Sequence, residues 1–354
     1  MRSYHALALF SGGLDSILAA KTVAAQGLSV LGLHFISPFF GKPRQIEHWR
    51  EVYGLDIVPV DVSDAYVSML AAGPAHGLGK VLNPCVDCKI LMLRRAKALL
   101  PEYGASFIIS GEVVGQRPMS QRLDALNIIS REAGVRDLLL RSLCARKLPP
   151  TTAETTGLVD RERLHNFGGR GRKDQLALAA AFGVTEIPTP AGGCLLTEQE
   201  SARRFFPLFA RIPAPTAGDF AVANIGRQYW AGPLWLAIGR NESDNKRLAA
   251  LARDGDILFS ARDYPGPAAL ARRHPSAVWD AASLTDAAAF VASFHPKAVA
   301  AGGEVAMFAR GQGVPPLRVT PSRQTPLAWH EPTWEETRAG KKDRFATCGA
   351  PRQE

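Results

Sequence analysis

Short apolar runs alternate with helix-spaced segments through the first half of the chain. Residues 5–10, 29–35, 57–62 and 107–110 are compact apolar stretches that predict buried strands. Residues 15–26, 45–53 and 88–100 repeat apolar positions at helical spacing, the last through Ile90, Leu91, Leu93, Ala96 and Leu99. Gly27 stops the first of these helices. Such alternation predicts an α/β fold, a Rossmann-like parallel sheet with helices on both faces, whose ligands bind at the carboxyl ends of the strands. Residues 138–144 read as core and residues 172–182 as another Ala/Leu-rich helix.

The rhythm changes after Arg211-Ile212-Pro213-Ala214-Pro215, which reads as a linker. Strands at 221–225, 234–238, 256–260 and 305–309, with helices at 244–252 and 286–294, predict a smaller α+β domain. The expected organisation is a first domain over residues 1–205, a second over 217–320, and a polar, mobile tail over 321–354.

Charge adds a direction. Lys and Arg number 42 against 33 Asp and Glu, a formal net charge of +9 that suits a polyanionic partner such as RNA. No apolar run approaches the ~20 residues that span a bilayer. Asp15 interrupts the first apolar stretch, so no signal-peptide pattern forms, and the expectation is a cytoplasmic protein with no membrane contact. The five cysteines are Cys85, Cys88, Cys144, Cys194 and Cys348. An odd number in a chain of this kind predicts core thiols, metal ligands or reactive groups rather than a disulfide framework. Cys144 falls in the expected core and Cys348 in the tail, with no role assigned.

The first expected strand runs into Ser11-Gly12-Gly13-Leu14-Asp15-Ser16, which opens a helix. Glycines there let backbone N–H groups approach an anion, and the helix N-terminus adds partial positive charge. Ser11 and Ser16 add hydroxyl donors. This segment resembles the signature of the PP-loop ATP pyrophosphatases, a fold of the HUP type. The Walker pattern is absent. The resemblance implies a loop that holds the pyrophosphate of ATP, with Mg2+, while a substrate oxygen is adenylated, and it places Asp15 among the catalytic residues.

Gly111-Glu112-Val113-Val114-Gly115-Gln116, followed by Met119-Ser120-Gln121, is similar to a nucleotide-bordering segment of tRNA 4-thiouridine synthases. One extra residue precedes the Ser-Gln pair, so Gly111 and Gln116 carry over more directly than Ser120 and Gln121. His34 and Phe35 stand where that family places its adenine contacts. Arg170, Arg172 and Lys173 cluster in a further family-like segment and suit either phosphate contact or a solvated helix start.

Pro84-Cys85-Val86-Asp87-Cys88 puts two thiols at a helix start, where thiol pKa values fall. Cys194 follows in Ala191-Gly192-Gly193-Cys194. The pair alone fits half a zinc site, completed by a residue such as His165, or a redox dithiol. With Cys194, the set resembles that of tRNA-thiolating PP-loop enzymes. In several of these, three thiolates hold a 4Fe–4S cluster with one iron open; in others, two cysteines work as persulfide carrier and partner, which would be Cys88 and Cys194 here. The resemblance implies Cys85, Cys88 and Cys194 as cluster ligands.

In the second domain, Gly239-Arg240-Asn241, Asp244-Asn245, Asp256-Ile257-Leu258-Phe259 and Pro265-Gly266 are similar in order to the RNA-binding domain of NFACT proteins, with Ser260 where that family has His. This implies RNA contacts from Arg240, Asn241, Arg262, Arg272 and Arg273. The combined expectation is ATP-dependent tRNA thiolation, with tRNA and a sulfur donor, either sulfide or a persulfide carrier, as partners. The alternatives are a PP-loop amidotransferase or ligase, and a non-catalytic RNA-binding protein with a relic nucleotide site.

Overall fold

The computed structural model describes residues 3–188, 193–311 and 315–345. Residues 189–192, part of the expected Gly-Gly-Cys loop, and residues 346–354, which include Cys348, lie outside the described residues. Two compact units emerge, Met1–Thr197 and Glu198–Ala346.

In the first unit the chain runs through β1 (Ala6–Leu9), α1 (Leu14–Ala24), β2 (Val30–Ile36), α2 (Ile46–Tyr53), β3 (Asp56–Asp61), α3 (Ser63–Ala72), α4 (Cys85–Leu99), β4 (Phe107–Ile109), α5 (Leu123–Glu132), β5 (Leu139–Leu140), α6 (Thr152–Thr155) and α7 (Lys173–Ala181). The strands form a parallel sheet of order β3-β2-β1-β4-β5, the Rossmann-like arrangement expected from the alternation. Strand side chains alternate between faces. Ala6 and Ala8 of β1 pack with Ile17, Leu18 and Ala20 of α1, Trp49 of α2 and Ala179 of α7. Leu7 and Leu9 face Ile90 and Leu93 of α4 and Ile129 of α5. β2 pairs on one side of β1 and β4 on the other, so the loop leaving β1 opens at the topological switch point, where such sheets bind ligands.

The second unit contains α8 (Gln199–Arg211), α9 (Ala217–Ala223), β6 (Arg227–Ala231), β7 (Leu234–Ile238), α10 (Glu242–Ala250), β8 (Ile257–Ala261), β9 (Ala269–Arg272), α11 (Ala281–Ala292), α12 (Pro296–Ala301), β10 (Val305–Arg310), β11 (Leu317–Val319) and α13 (Trp334–Arg344). Its sheet is antiparallel, in the order β11-β10-β8-β9-β7-β6. Leu236, Ile257, Phe259 and Ala271 meet Ala287, Ala288 and Val291 of α11 in its core.

Three expectations change here. Residues 221–223 are helical rather than a strand, because Thr216 and Asp219 form a reciprocal capping box that starts α9. α8 crosses both the expected boundary at residue 205 and the start of the expected linker. Its Phe205 and Phe209 pack on Phe220 of α9, which ties it to the second unit. The tail is ordered through residue 345. Trp329 is buried and donates its indole N–H to Asp286 at 2.8 Å, and α13 packs on α8, where a Cβ at Gly340 would stand 2.6 Å from Phe206. Among the described residues, no helix is long and apolar enough to cross a membrane.

Candidate active site

The loop after β1 is organised before any ligand arrives. Ser16 donates its hydroxyl to the Gly13 carbonyl at 2.7 Å and accepts from the Ser11 N–H at 3.2 Å. The Gly13 N–H donates to Ser11 Oγ at 3.3 Å. Gly12 has φ +76, and a Cβ on it would lie 2.4 Å from the Trp49 ring. The left-handed backbone and the indole beneath it both require glycine. Ser11 is exposed at the lip while Ser16 is buried, so Ser11 is the hydroxyl presented outward.

Gly111 closes the loop from the β4 side. A Cβ there would stand 2.5 Å from the Asp15 carbonyl and 2.8 Å from the Ser16 nitrogen, so its part is close packing against the first turn of α1. The Gln116 amide donates to Asp15 Oδ2 at 3.0 Å, while Asp15 Oδ1 is buried with no partner. Burial raises the Asp15 carboxyl above its ordinary range, against the Gln116 hydrogen bond and the charges of Arg172 and Arg117. A buried, unpartnered carboxylate oxygen beside a phosphate-type loop suits a cation accompanying ATP. Arg172 thus faces Asp15, whereas Arg170 and Lys173 are exposed.

Glu112, the acidic residue of the Gly-Glu segment, has an internal role. It is buried and ion-paired to Arg141 at 3.0 Å; burial raises its carboxyl, but Arg141, Lys89 and the Ser110 hydroxyl together hold it below the usual range. Ser120 and Gln121 are buried as well, and the Gln121 carbonyl accepts the Gly115 N–H at 2.6 Å, which closes the loop on itself.

His34 does not present its ring to a ligand. Its Nδ1–H donates to the Phe10 carbonyl at 3.0 Å, its Nε2 accepts the Lys42 N–H at 2.8 Å, and its ring meets Trp49 edge-on at 5.0 Å. Burial lowers its pKa and keeps it neutral. The Phe35 ring belongs to the core on the α4 face. Only the backbone at these two positions is left for an adenine contact.

Cys85, Cys88 and Cys194 all lie within electrostatic reach of one side chain, Tyr66. The Leu195 N–H donates to the Phe39 carbonyl at 2.8 Å and the Leu82 N–H to the Leu196 carbonyl at 3.0 Å, which docks the Cys194 segment between two loops. The Phe39 ring packs on Tyr66 of α3 at 5.6 Å, and the Tyr66 phenol feels the charges of Cys88, Cys194 and Cys85 together. The helix-start expectation for the thiols fails at Cys88. Burial pushes its thiol up to about 11, more than the α4 N-terminus can offset. A 4Fe–4S cluster at these thiols, with its positive irons, would favour the thiolate form that burial opposes. The zinc alternative through His165 loses its fourth ligand, because that ring stacks on Phe167 at 4.8 Å and pairs with Thr22 of α1 at 3.3 Å. Among the described residues, no three His, Cys, Asp or Glu side chains stand at metal-ion spacing. Cys144 is fully buried, and its thiol donates to the Glu112 carbonyl at 3.2 Å, as expected of a core residue.

Asn83 joins the two halves of the site. Its Nδ2–H contacts Cys85 Sγ at 3.2 Å and Met119 Sδ at 3.5 Å. Met119 lies three residues beyond Gln116, so one loop touches Asp15 at one end and the cysteine site at the other. Part of the chain is similar to tRNA sulfurtransferases. It is 30% identical over 135 residues to a probable tRNA sulfurtransferase of Thermococcus kodakarensis, covering 35% of this chain and 33% of that protein. It is 30% identical over 173 residues to a probable tRNA sulfurtransferase of Methanobrevibacter smithii, covering 45% and 43%. It is 31% identical over 122 residues to the tRNA-specific 2-thiouridylase MnmA of Nitratidesulfovibrio vulgaris, covering 30% and 34%. The chain therefore spans well under half the length of these curated relatives. A solved structure of a predicted subunit of tRNA methyltransferase from Methanocaldococcus jannaschii aligns with TM-score 0.32 and 16% identity over 50% of this chain and 76% of that one. No protein-family profile matches the chain.

In the second unit, the expected RNA contacts separate into surface and interior. Arg240, Arg262 and Arg273 are exposed. Asn241 uses its side chain to cap α10, accepting the Asp244 N–H at 2.9 Å. Arg272 is a correction: it is buried, with Nη1 2.7 Å from Asp256 and Nε 3.2 Å from Asp219, and reaches no surface. The pattern reading missed Arg204 of α8. It is half-buried, and burial together with nearby Arg240 and Arg203 lowers its pKa, which marks a cationic patch around Arg240. It also missed Trp49, Tyr66 and Arg141, none of which falls in a short motif, and gave no role to Asn83, which stands directly before the Pro-Cys pair.

Proposed function

We propose that this chain thiolates tRNA in an ATP-dependent reaction. ATP lies with its phosphates over the β1–α1 loop, held by backbone N–H groups of Gly12 and Gly13 and the Ser11 hydroxyl, with Asp15 toward the accompanying Mg2+. A carbonyl oxygen of the target base, on a uridine or an equivalent cytidine, attacks the α-phosphorus, and pyrophosphate leaves. Sulfur then bonds to the activated carbon, and AMP departs carrying the original oxygen. Cys85, Cys88 and Cys194 handle that sulfur, supplied as sulfide or by a persulfide carrier. A 4Fe–4S cluster bound by these three thiolates would supply positive charge and an open coordination position.

One observation carries this reading: a single loop contacts Asp15 through Gln116 and the cysteine site through Met119 and Asn83. An adenylating centre and a sulfur centre must share a substrate base, so they must share a cleft. Similarity to probable tRNA sulfurtransferases and a 2-thiouridylase supports tRNA as the substrate class. Arg240, Arg262 and Arg273, with Arg204, are the proposed phosphate contacts of the second unit, read as an NFACT-like RNA-binding domain. The test is nucleoside mass spectrometry of tRNA from cells with and without the gene, together with anaerobic reconstitution using ATP and sulfide. A thionucleoside that disappears with the gene and returns with the purified protein is the expected result. An unchanged nucleoside profile overturns the proposal.

A further inference from the structure

Arg323 stands just past β11, in a segment that the second unit fastens down. The Ser322 N–H donates to the Ala289 carbonyl of α11 at 3.1 Å, and the Ser322 hydroxyl accepts the Gln324 N–H at 3.2 Å. Farther on, the Leu327 N–H and the Trp329 indole N–H both donate to Asp286 of α11, at 3.0 and 2.8 Å. The exposed Arg323 side chain therefore leaves a fixed backbone. Its guanidinium carbon lies 3.3 Å from the ring centre of Phe294, a half-buried aromatic two residues past α11. Phe290 at 5.2 Å and Tyr229 of β6 at 5.5 Å brace that ring, and the Arg227 guanidinium stands 5.8 Å from its centre.

Ordering a surface arginine costs rotamer freedom, which the side chain keeps unless a contact offsets the loss. No acid supplies that contact: among the described residues, no carboxylate forms an ion pair with Arg323 or Arg227. The acid that this cluster feels is Glu331, which together with burial raises the Tyr229 phenol against Arg323 and Arg227, and Glu331 is paired with Arg203 at 2.9 Å. Attraction to the Phe294 ring is what holds Arg323. The outcome is an exposed planar cation laid against an aromatic ring, with a second cation beside it. Arg227 pairs with Ile238 in the β6–β7 ladder, so it sits at the same end of the sheet as Arg240 and its cationic patch.

We infer that Arg323, backed by Phe294, is a stacking platform for an unpaired base of the RNA, with Arg227 beside it for the adjoining phosphate. This rests on reading the second unit as RNA-binding, and it adds a base contact to the phosphate contacts named above. Guanidinium groups stack on bases as they do on aromatic rings, and recognition of single-stranded RNA relies on such planes. Within a duplex both faces of a base are covered by its neighbours, so only an unpaired base has a face to offer. An acidic peptide would use the charge alone, and the Phe294 ring would be of no use to it. Stacking on Phe294 holds the guanidinium in place beforehand, so little freedom is lost on binding.

The test compares the full-length wild type with Arg323→Lys, which keeps the charge and removes the plane. Each is titrated with single-stranded oligoadenylate, with polyphosphate as a chain of phosphates without bases, and with poly-glutamate as an acidic peptide. Arg323→Lys should weaken oligoadenylate binding by about tenfold, the scale of one base stack. The slope of log affinity against log salt should stay the same, since the charge remains. Polyphosphate binding and the melting temperature should not move. Phe294→Leu, checked for a cooperative melt, should reproduce the oligoadenylate loss. An Arg323→Lys protein that binds oligoadenylate as the wild type does overturns the platform, because Arg323 then acts by charge alone. Poly-glutamate binding as tight as that of oligoadenylate also overturns it and marks a site for an acidic protein. Arg240→Ala separates this inference from the reading beneath it. If that variant binds tRNA more weakly while Arg323→Lys changes nothing, only the platform falls. If the wild type binds neither oligoadenylate nor tRNA, the RNA-binding reading falls and takes the platform with it. A platform effect in a protein that yields no thionucleoside refutes only the thiolation reading.

Discussion

Gln116 donates its side-chain amide to the Asp15 carboxylate across 3.0 Å, joining the loop after β4 to the first turn of α1. The other Asp15 oxygen is buried without a partner, and burial raises the carboxyl above its ordinary value of 3.8. This arrangement is poor for resting stability and suited to receiving a cation with ATP.

The sign of the resulting pH effect is fixed. The folded state holds the Asp15 proton more tightly than the unfolded chain, so stability declines as pH rises from 3.8 to the raised value and stays lower above it. Asp15→Asn removes that penalty. At neutral pH the ligand-free variant should melt no lower than the wild type, while ATP-dependent pyrophosphate release falls by about 100-fold. Thermal melting and a pyrophosphate assay read the two effects separately. A stable variant that retains full turnover would remove Asp15 from the catalytic set.

Gly111 should tolerate no side chain. Alanine would place its Cβ 2.5 Å from the Asp15 carbonyl and 2.8 Å from the Ser16 nitrogen, both backbone atoms of α1 that cannot swing aside. Gly111→Ala is expected to destabilise by about 1–3 kcal/mol and to weaken ATP binding by shifting the loop. Urea unfolding and nucleotide titration would measure the pair. By contrast, Gly54→Ala meets no atom within 4 Å, and its cost should come from the positive φ alone.

The Ser11–Ser16 loop and its place between β1 and α1 were legible in the sequence because its six residues are contiguous and sit between a strand and a helix with strong patterns. The parallel sheet was legible for the same reason. What escaped depends on burial, which short motifs do not encode. Cys88 at a helix start reads as an acidified thiol, yet packing makes it the reverse. His34 sits at the expected strand end, yet both ring nitrogens are used to tie Phe10 to Lys42. Arg272 beside Arg273 reads as a basic surface, yet Arg272, the last residue of β9, is buried between Asp219 and Asp256, while Arg273 just past the strand is exposed. The Thr216 and Asp219 capping box was present in the sequence, and only the neighbouring apolar run drew the strand expectation over residues 221–225.

The two arginines therefore predict opposite outcomes. Arg272→Met removes the buried cation between Asp219 and Asp256, leaving Asp256 without an ion-pair partner and Asp219 with Arg253 alone at 3.3 Å, and should cost about 3–5 kcal/mol of stability. Arg240→Ala removes an exposed cation from the patch it shares with Arg204, so its melting temperature should not move. Its tRNA affinity should fall, and the slope of log affinity against log salt should become shallower by about one. Filter binding across a salt series checks this. An unchanged slope would place RNA recognition elsewhere.

Cysteine substitutions divide the sulfur schemes. If the three thiols jointly hold a cluster, serine at Cys85, Cys88 or Cys194 should each abolish both thiolation and iron retention after anaerobic reconstitution. If Cys88 and Cys194 work as persulfide carrier and partner, Cys85→Ser should keep most activity, no iron should be needed, and a persulfide adduct should be found at one of the remaining two. Structure gives Cys85 a contact that neither scheme requires by itself, since Asn83 links it to Met119 and so to the nucleotide side of the cleft. Cys85→Ser therefore has a second readout. Loss of that link alone should weaken ATP binding by a few-fold without touching iron, and Asn83→Ala should reproduce that part but not the loss of cluster. Cys144→Ser is the control, since its thiol is spent on the Glu112 carbonyl and packs in the core. It should lower stability and leave the sulfur chemistry of the folded protein intact. Iron content, nucleotide affinity and tRNA thionucleoside yield, measured on this set of five variants, separate the cluster from the persulfide route and both from a purely structural role for Cys85.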